Sequence, residues 1–156
     1  MNAAAVLNAA RAAGLRITTA ESCTGGMVAA ALTDIPGSSD VVERGFVTYS
    51  NTAKIEMLGV LQNTLERYGA VSEQVAAEMA TGALTHAHAE LAVSITGVAG
   101  PGGSDHKPEG RVCFGIARAG MPAALVETQE FGPLGRTAVR QAACAHALTL
   151  LLRAAS

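Results

Sequence analysis

The stretch TAESCTGG, ending at Gly26, sets an acid, a hydroxyl, a thiol and a second hydroxyl beside two glycines. Glu21, Ser22, Cys23 and Thr24 follow the β-branched run Ile17–Thr19 and precede the apolar run Met27–Leu32. The cluster therefore sits where a strand gives way to a helix. A helix N-terminus offers free N–H groups and the positive end of the helix dipole. Two kinds of chemistry suit that place. Ser22 or Thr24 caps the helix, and Gly25 and Gly26 allow a tight turn. Alternatively, Ser22 attacks a carbonyl while backbone N–H groups of the 23–26 turn hold the oxyanion. Cys23 is a rival nucleophile, because a helix N-terminus lowers a thiol pKa. The pattern is not a G-x-S-x-G elbow, and no Ser-His-Asp order is evident. Glu21 is a candidate cap or an orienting group for a neighbour.

A second segment, Tyr49-Ser50-Asn51-Thr52-Ala53-Lys54, carries the natural partner for a serine. Of eleven basic residues, only Lys54 and Lys107 are lysines. A lysine, unlike an arginine, loses its proton readily when it is buried. Neutral Lys54 would take the serine proton as a general base, with Tyr49 relaying or donating a hydrogen bond. A solvated surface lysine is the competing reading. The third segment runs from Ser94 through Thr96, Gly97 and Gly100 to Gly103. Glycines directly after a buried strand let backbone N–H groups approach an anion. No helix starts where a Walker loop or a dinucleotide fingerprint requires one, so an ordinary loop fits equally well. Arg136 and Arg140 lie one turn apart. They can hold a phosphate, face solvent, or pair with Glu127 or Glu130.

The elements that must position these residues follow from periodicity. Residues 2–13 read as a helix stopped by Gly14, and Leu15–Thr19 as a short buried strand. Gly25 onward reads as a helix ending before Pro36, followed by a loop. Phe46–Ser50 reads as a strand, and Asn51 can cap a short helix holding Lys54. Thr64–Tyr68 is a helical piece, and Ser72 caps a long helix to about His88. Leu91–Thr96 is a buried strand. Gly97–Gly110 is a long loop, of the length usually associated with function or disorder. Arg111–Arg118 and Ala124–Phe131 form an antiparallel hairpin. Leu134–Arg153 is a closing helix in which His146 is a core histidine. Strands separated by helices predict a partly parallel sheet covered on both faces, with the hairpin adding an antiparallel member.

Composition narrows the function classes. A chain of 156 residues points to one domain, residues 1–156, with no linker to split it. Hydrophobic residues make up 49% of the chain, yet only Phe46, Phe114, Phe131, Tyr49 and Tyr68 are aromatic. Alanine and glycine must therefore do much of the packing. A net charge of −2 without a basic run argues against a nucleic-acid surface. The apolar runs are too short to span a bilayer, and no signal peptide is expected. Cys23, Cys113 and Cys144 give neither a disulfide framework nor a zinc cluster, so a reduced cytoplasm is the expected location. His86 and His88 point to nearly opposite faces of a helix, so no metal site is expected.

Taken together, TAESCTGG, RGFVTYSNTAK, LGV, GAVSEQVAAEMA and VSITGVAGPGG resemble the CinA C-terminal domain family, in order and over nearly the whole chain. That resemblance implies an α/β fold, a three-layer α/β/α sandwich around a mixed, mostly parallel sheet with an antiparallel member. Stand-alone members, the form expected here, are nicotinamide mononucleotide amidases. Larger relatives carry a separate N-terminal domain. The resemblance also implies a serine nucleophile at Ser22 and a lysine partner at Lys54, with Tyr49 close by and the glycine loop after Thr96 facing the ligand. In related sequences the Cys23 position can hold an apolar residue, which weighs against a thiol nucleophile. The mechanism expected is acyl transfer by a Ser–Lys pair, with no metal or organic cofactor. The expected partners are a small nucleotide substrate and further copies of the same chain, with neither nucleic acid nor membrane. A non-catalytic nucleotide-binding or assembly module is the alternative. Two departures stand out. The family's Gly-Asp-Arg before the last helix is Leu134-Gly135-Arg136 here, and its Gly-Thr after the long loop is Gly110-Arg111.

Overall fold

The computed structural model describes residues 2–156. Helix α1 spans Ala3–Ala13 and strand β1 Ile17–Glu21; α2 follows at Met27–Thr33 and β2 at Val42–Val47. Three helices come next, α3 (Asn51–Leu58), α4 (Gln62–Tyr68) and α5 (Glu73–His86). Strands β3 (Leu91–Gly97), β4 (Arg111–Arg118) and β5 (Leu125–Glu130) precede the closing helix α6 (Arg136–Ala155). The expected elements are all present and in the expected order. The largest displacement is in β2, which was expected at Phe46–Ser50 and ends instead at Val47. The physical reason is local. Thr48, Tyr49 and Ser50 leave the ladder so that Ser50, not Asn51, can cap α3, its hydroxyl accepting from Ala53 N–H at 3.0 Å.

The sheet order is β2-β1-β3-β4-β5. The pairs β1·β2 and β1·β3 are parallel, while β3·β4 and β4·β5 are antiparallel. Four strands thus point one way and β4 opposes them, as expected for the mixed sheet. Pairing brings Glu21 opposite both Val47 and Ile95. The ladders continue one step further, with Ser22 N–H on the Ile95 carbonyl at 2.9 Å and Thr48 N–H on the Glu21 carbonyl at 2.8 Å. The carboxyl ends of β1, β2 and β3 therefore finish side by side. In open α/β sheets that edge is where ligands bind.

Alternation along β3 divides the core. Leu91, Val93 and Ile95 pack with α1 and α6, joined by Val6, Leu7, Val139, Leu148 and Leu151. On the other face Ala20, Ala92 and Ala117 meet Val75, Met79 and Ala83 of α5 and Leu58 of α3. The second face is built largely from small residues, as the scarcity of aromatics predicted. A Cβ at Gly115 would stand 2.6 Å from the Ala76 carbonyl oxygen, so α5 lies directly against the sheet. Polar bonds tie these layers as well: the Ser94 hydroxyl donates to the same Ala76 carbonyl at 2.6 Å, and the Thr128 hydroxyl to Glu73 Oε2 at 2.7 Å. His146 is packed as expected, edge-on to Phe114 with ring centroids 4.8 Å apart and Nε2 2.8 Å from Glu127.

Candidate active site

At the shared strand ends, Lys54 reaches inward from the first turn of α3. It is only 1% exposed, and its Nζ lies 3.0 Å from Ser22 Oγ. The amine donates to the Thr48 carbonyl at 2.9 Å and to the Tyr49 carbonyl at 3.4 Å. No carboxylate touches it among the described residues. Burial without a counter-ion favours the neutral amine, and it lowers the Lys54 pKa; the Cys23 thiol opposes this more weakly. The geometry suits that neutral form. A neutral amine would spend its two N–H groups on the two carbonyls and turn its lone pair to the Ser22 O–H, whereas a charged one donates to all three oxygens.

The turn that carries Ser22 is held from below by Glu21, which is fully buried. Its Oε1 accepts from the Thr24 hydroxyl at 2.7 Å, from Gly26 N–H at 3.2 Å and from Val28 N–H at 3.0 Å. Its Oε2 accepts from Ala29 N–H at 3.0 Å. Neither Ser22 nor Thr24 caps α2. The acid ahead of them does, and the helix dipole favours its charge there. Glu21 accordingly makes no contact with Lys54. Gly25 and Gly26 adopt φ of +58° and +107°, the left-handed region that glycine enters without strain. Gly25 N–H is spent on the Ser22 carbonyl at 3.0 Å, and Gly26 N–H on Glu21. Among the described residues the N–H groups of Cys23 and Thr24 have no acceptor on another residue, which narrows the expected 23–26 donors to two.

Cys23 lines the same pocket, but burial pushes its thiol up to about 12. A thiol shifted in that direction ionises less readily, which weighs against Cys23 as nucleophile. Thr24 is buried and directed at Glu21, away from the pocket. Tyr49 contributes through its carbonyl; its hydroxyl stands at the mouth and accepts from Arg136 Nη2 at 2.9 Å. No bond joins the Tyr49 hydroxyl to Ser22 or Lys54, so it is not placed to relay their proton.

The pocket encloses about 270 Å³, with Ser22 and Lys54 at one end and the glycine loop along the other. Thr96 lines it and donates to the Ala70 carbonyl at 2.8 Å. Gly97 and Gly100 line it too, and the N–H groups of Ala99, Gly100 and Gly103 carry no protein acceptor. Arg136 closes the mouth, its Nη1 on the Gly100 carbonyl at 2.6 Å. Arg140 does not line the pocket. It lies behind the Ser22 turn, with Nε on the Cys23 carbonyl at 3.0 Å and Nη2 on the Thr24 carbonyl at 3.4 Å. The alternative pairing of these arginines with Glu127 or Glu130 is absent, since those acids hold His146 and Arg111.

Two further residues shape the loop: Glu109, on which no sequence reading falls, and Lys107, marked in the sequence only as one of two lysines. Glu109 binds Gly102 N–H at 2.7 Å and Gly135 N–H at 2.9 Å, tying the loop to the turn before α6. A carboxylate therefore reaches the Gly135 position from the loop, where the family pattern has its own acid. Lys107 donates to the carbonyls of Tyr68 and Val71, anchoring the loop tip to the α4–α5 connection. No sequence spacing marks either residue, because each acts on backbone distant in the chain. Among the described residues no group of three or more His, Cys, Asp or Glu side chains could hold a metal. Among the described residues no helix is long and apolar enough to cross a membrane.

Comparison with known proteins agrees with this architecture. Residues 2–155 match the model of the CinA C-terminal domain. The chain is 54% identical over 144 residues to the nicotinamide-nucleotide amidohydrolase PncC of Escherichia coli K12, covering 92% of this chain and 86% of that protein. It is 53% identical over 146 residues to the protein of the same name from Enterobacter agglomerans, covering 93% and 88%. Among solved structures, the competence/damage inducible protein CihA from Agrobacterium tumefaciens superposes with a TM-score of 0.92 at 47% identity, covering 97% of this chain and 92% of that one. Sequence, fold and the arrangement of strand ends agree: this chain belongs to the CinA C-terminal domain family.

Proposed function

We propose that this protein hydrolyses the carboxamide of nicotinamide mononucleotide to nicotinate mononucleotide and ammonia, as a step of pyridine nucleotide recycling in the cytoplasm. The observation that carries the reading is the buried Lys54 amine, 3.0 Å from Ser22 Oγ and without a counter-ion. Relatives more than half identical to it, named nicotinamide-nucleotide amidohydrolases, supply the substrate class.

In this reading neutral Lys54 removes the Ser22 proton as Oγ attacks the amide carbon. The N–H groups of Cys23 and Thr24 receive the oxyanion, and each such donor is typically worth about 3–4 kcal/mol of transition-state stabilisation. The Lys54 ammonium then gives its proton to the leaving nitrogen, and ammonia departs. The amine, neutral again, takes a proton from the water that attacks the acyl-enzyme and passes it to Ser22 Oγ as that oxygen leaves, which frees the nicotinate product and restores the Ser22 hydroxyl and the neutral amine. The substrate phosphate rests on the unpartnered N–H groups of the glycine loop beside Arg136. Ammonia release from nicotinamide mononucleotide, compared between the parent protein and Ser22→Ala, tests the proposal. Release by the parent and none by the variant is expected. No release by either favours a binding module that has kept the pocket.

A further inference from the structure

We propose that Arg140 is a positioning residue for the oxyanion donors rather than a phosphate ligand; this rests on the Ser22–Lys54 reading. A trans peptide holds its N–H and C=O in opposed directions, so fixing one fixes the other. The Ser22 carbonyl is held by Gly25 N–H at 3.0 Å, which sets the plane whose N–H belongs to Cys23. The Cys23 carbonyl is held by Arg140 Nε at 3.0 Å, which sets the plane whose N–H belongs to Thr24. These two N–H groups are the ones the turn leaves without an acceptor. Both donors are thus locked from their carbonyl sides, one by the turn itself and one by a side chain 117 positions away.

The guanidinium adds charge as well as direction. It never loses its proton, and a cation on a carbonyl oxygen polarises the peptide toward a stronger N–H donor. Arg140 is part-buried and no carboxylate pairs with it, so its charge is directed into this turn alone. Gly25 makes room for it, since a Cβ there would lie 3.3 Å from Nη2. Helix α6 therefore serves the site twice. Arg136 faces the pocket mouth, and Arg140, one turn later, braces the wall from outside.

The test measures kcat and KM for nicotinamide mononucleotide in Arg140→Met and Arg140→Lys, with Ser22→Ala alongside and folding checked by circular dichroism. Losing a donor outright costs about 100- to 1,000-fold in kcat, so misaligning one is expected to cost about 30- to 100-fold in Arg140→Met, with KM unchanged within about threefold. Lysine retains one charged donor and is expected to lose about 3- to 10-fold in kcat, again at constant KM. Millimolar guanidinium should restore part of the kcat of an Arg140→Ala variant. A loss that falls on KM alone overturns the proposal, as does parental kcat in Arg140→Met. Should Arg140→Met fail to fold, parental kcat in Arg140→Lys overturns it instead. Activity surviving in Ser22→Ala would sink the Ser–Lys reading itself, an outcome distinct from all of these.

Discussion

The two ends of the pocket are built on opposite physical terms. At the inner end Ser22, Lys54 and Glu21 are buried, and the Ser22 hydroxyl, the Lys54 amine and the Glu21 carboxylate all bond within the protein. At the outer end the glycine loop, Tyr49 and Arg136 are mostly exposed, and several loop N–H groups point to no protein acceptor. The inner end resembles a folded core that holds a lysine amine with no counter-ion. The outer end resembles a surface waiting for an anion. Burial favours the neutral amine that acyl transfer requires, whereas exposure leaves the rim free to bind and release. The contrast teaches that chemistry and recognition are divided between the strand ends and the loop.

The largest effect that would break this division comes from Ser22→Ala. Removing a serine nucleophile costs about 10⁶-fold in kcat where it acts as one unit with its base, so loss to background is expected in an ammonia-release assay. Activity within tenfold of the parent would place the chemistry elsewhere. Lys54→Met comes next, since a general base contributes about 10²–10⁴-fold. The same residue sets the pH dependence. Because its folded pKa is lowered, kcat/KM should climb with pH through that lowered value and level off above it. A flat profile from mildly acidic to alkaline pH speaks against a lysine base.

The buried lysine also marks stability. Between its lowered folded pKa and the ordinary value near about 10.4, the unfolded chain binds the proton and the folded chain does not. Stability relative to Lys54→Met should therefore rise with pH through that window, as thermal melts across a pH series would reveal. The rim behaves differently. Arg136→Ala removes a charge-assisted contact worth about 1.5–3 kcal/mol, which predicts a KM raised about 10- to 100-fold with kcat within about threefold. A comparable fall in kcat would erase the distinction between rim and wall. The smallest effect is expected of Cys23→Ala. With its thiol pushed up to about 12, the side chain is a pocket wall, and kcat should stay within a few-fold of the parent.

Several features of the site were legible because local chemistry dictates them. The strand-to-helix passage at Glu21–Gly26 follows from a β-branched run, two glycines and an apolar run. Ser72 was read as an N-cap, and its hydroxyl accepts from Val75 N–H at 3.2 Å. The rarity of lysine singled out Lys54. Other assignments failed where two local answers were equally good. Ser22, Thr24 and Glu21 can each satisfy a helix N-terminus. Spacing does not say that Glu21 does so from five positions before Gly26. Arg136 and Arg140 look alike on a helical wheel, yet one faces the mouth and the other the back of the turn.

The sequence by itself determined the elements, their order, the small-residue packing and the three segments that carry chemistry, because periodicity, capping and glycine placement act over a few residues. Only the tertiary structure decided which of those segments meet. The parallel pairing of β1 with β2 and β3 brings Ser22 beside Thr48 and Ile95, and the turn after β2 carries Lys54 into the gap. Whether that amine is solvated or buried depends on everything packed around it, and desolvation is a property of the assembled interior rather than of any residue in it.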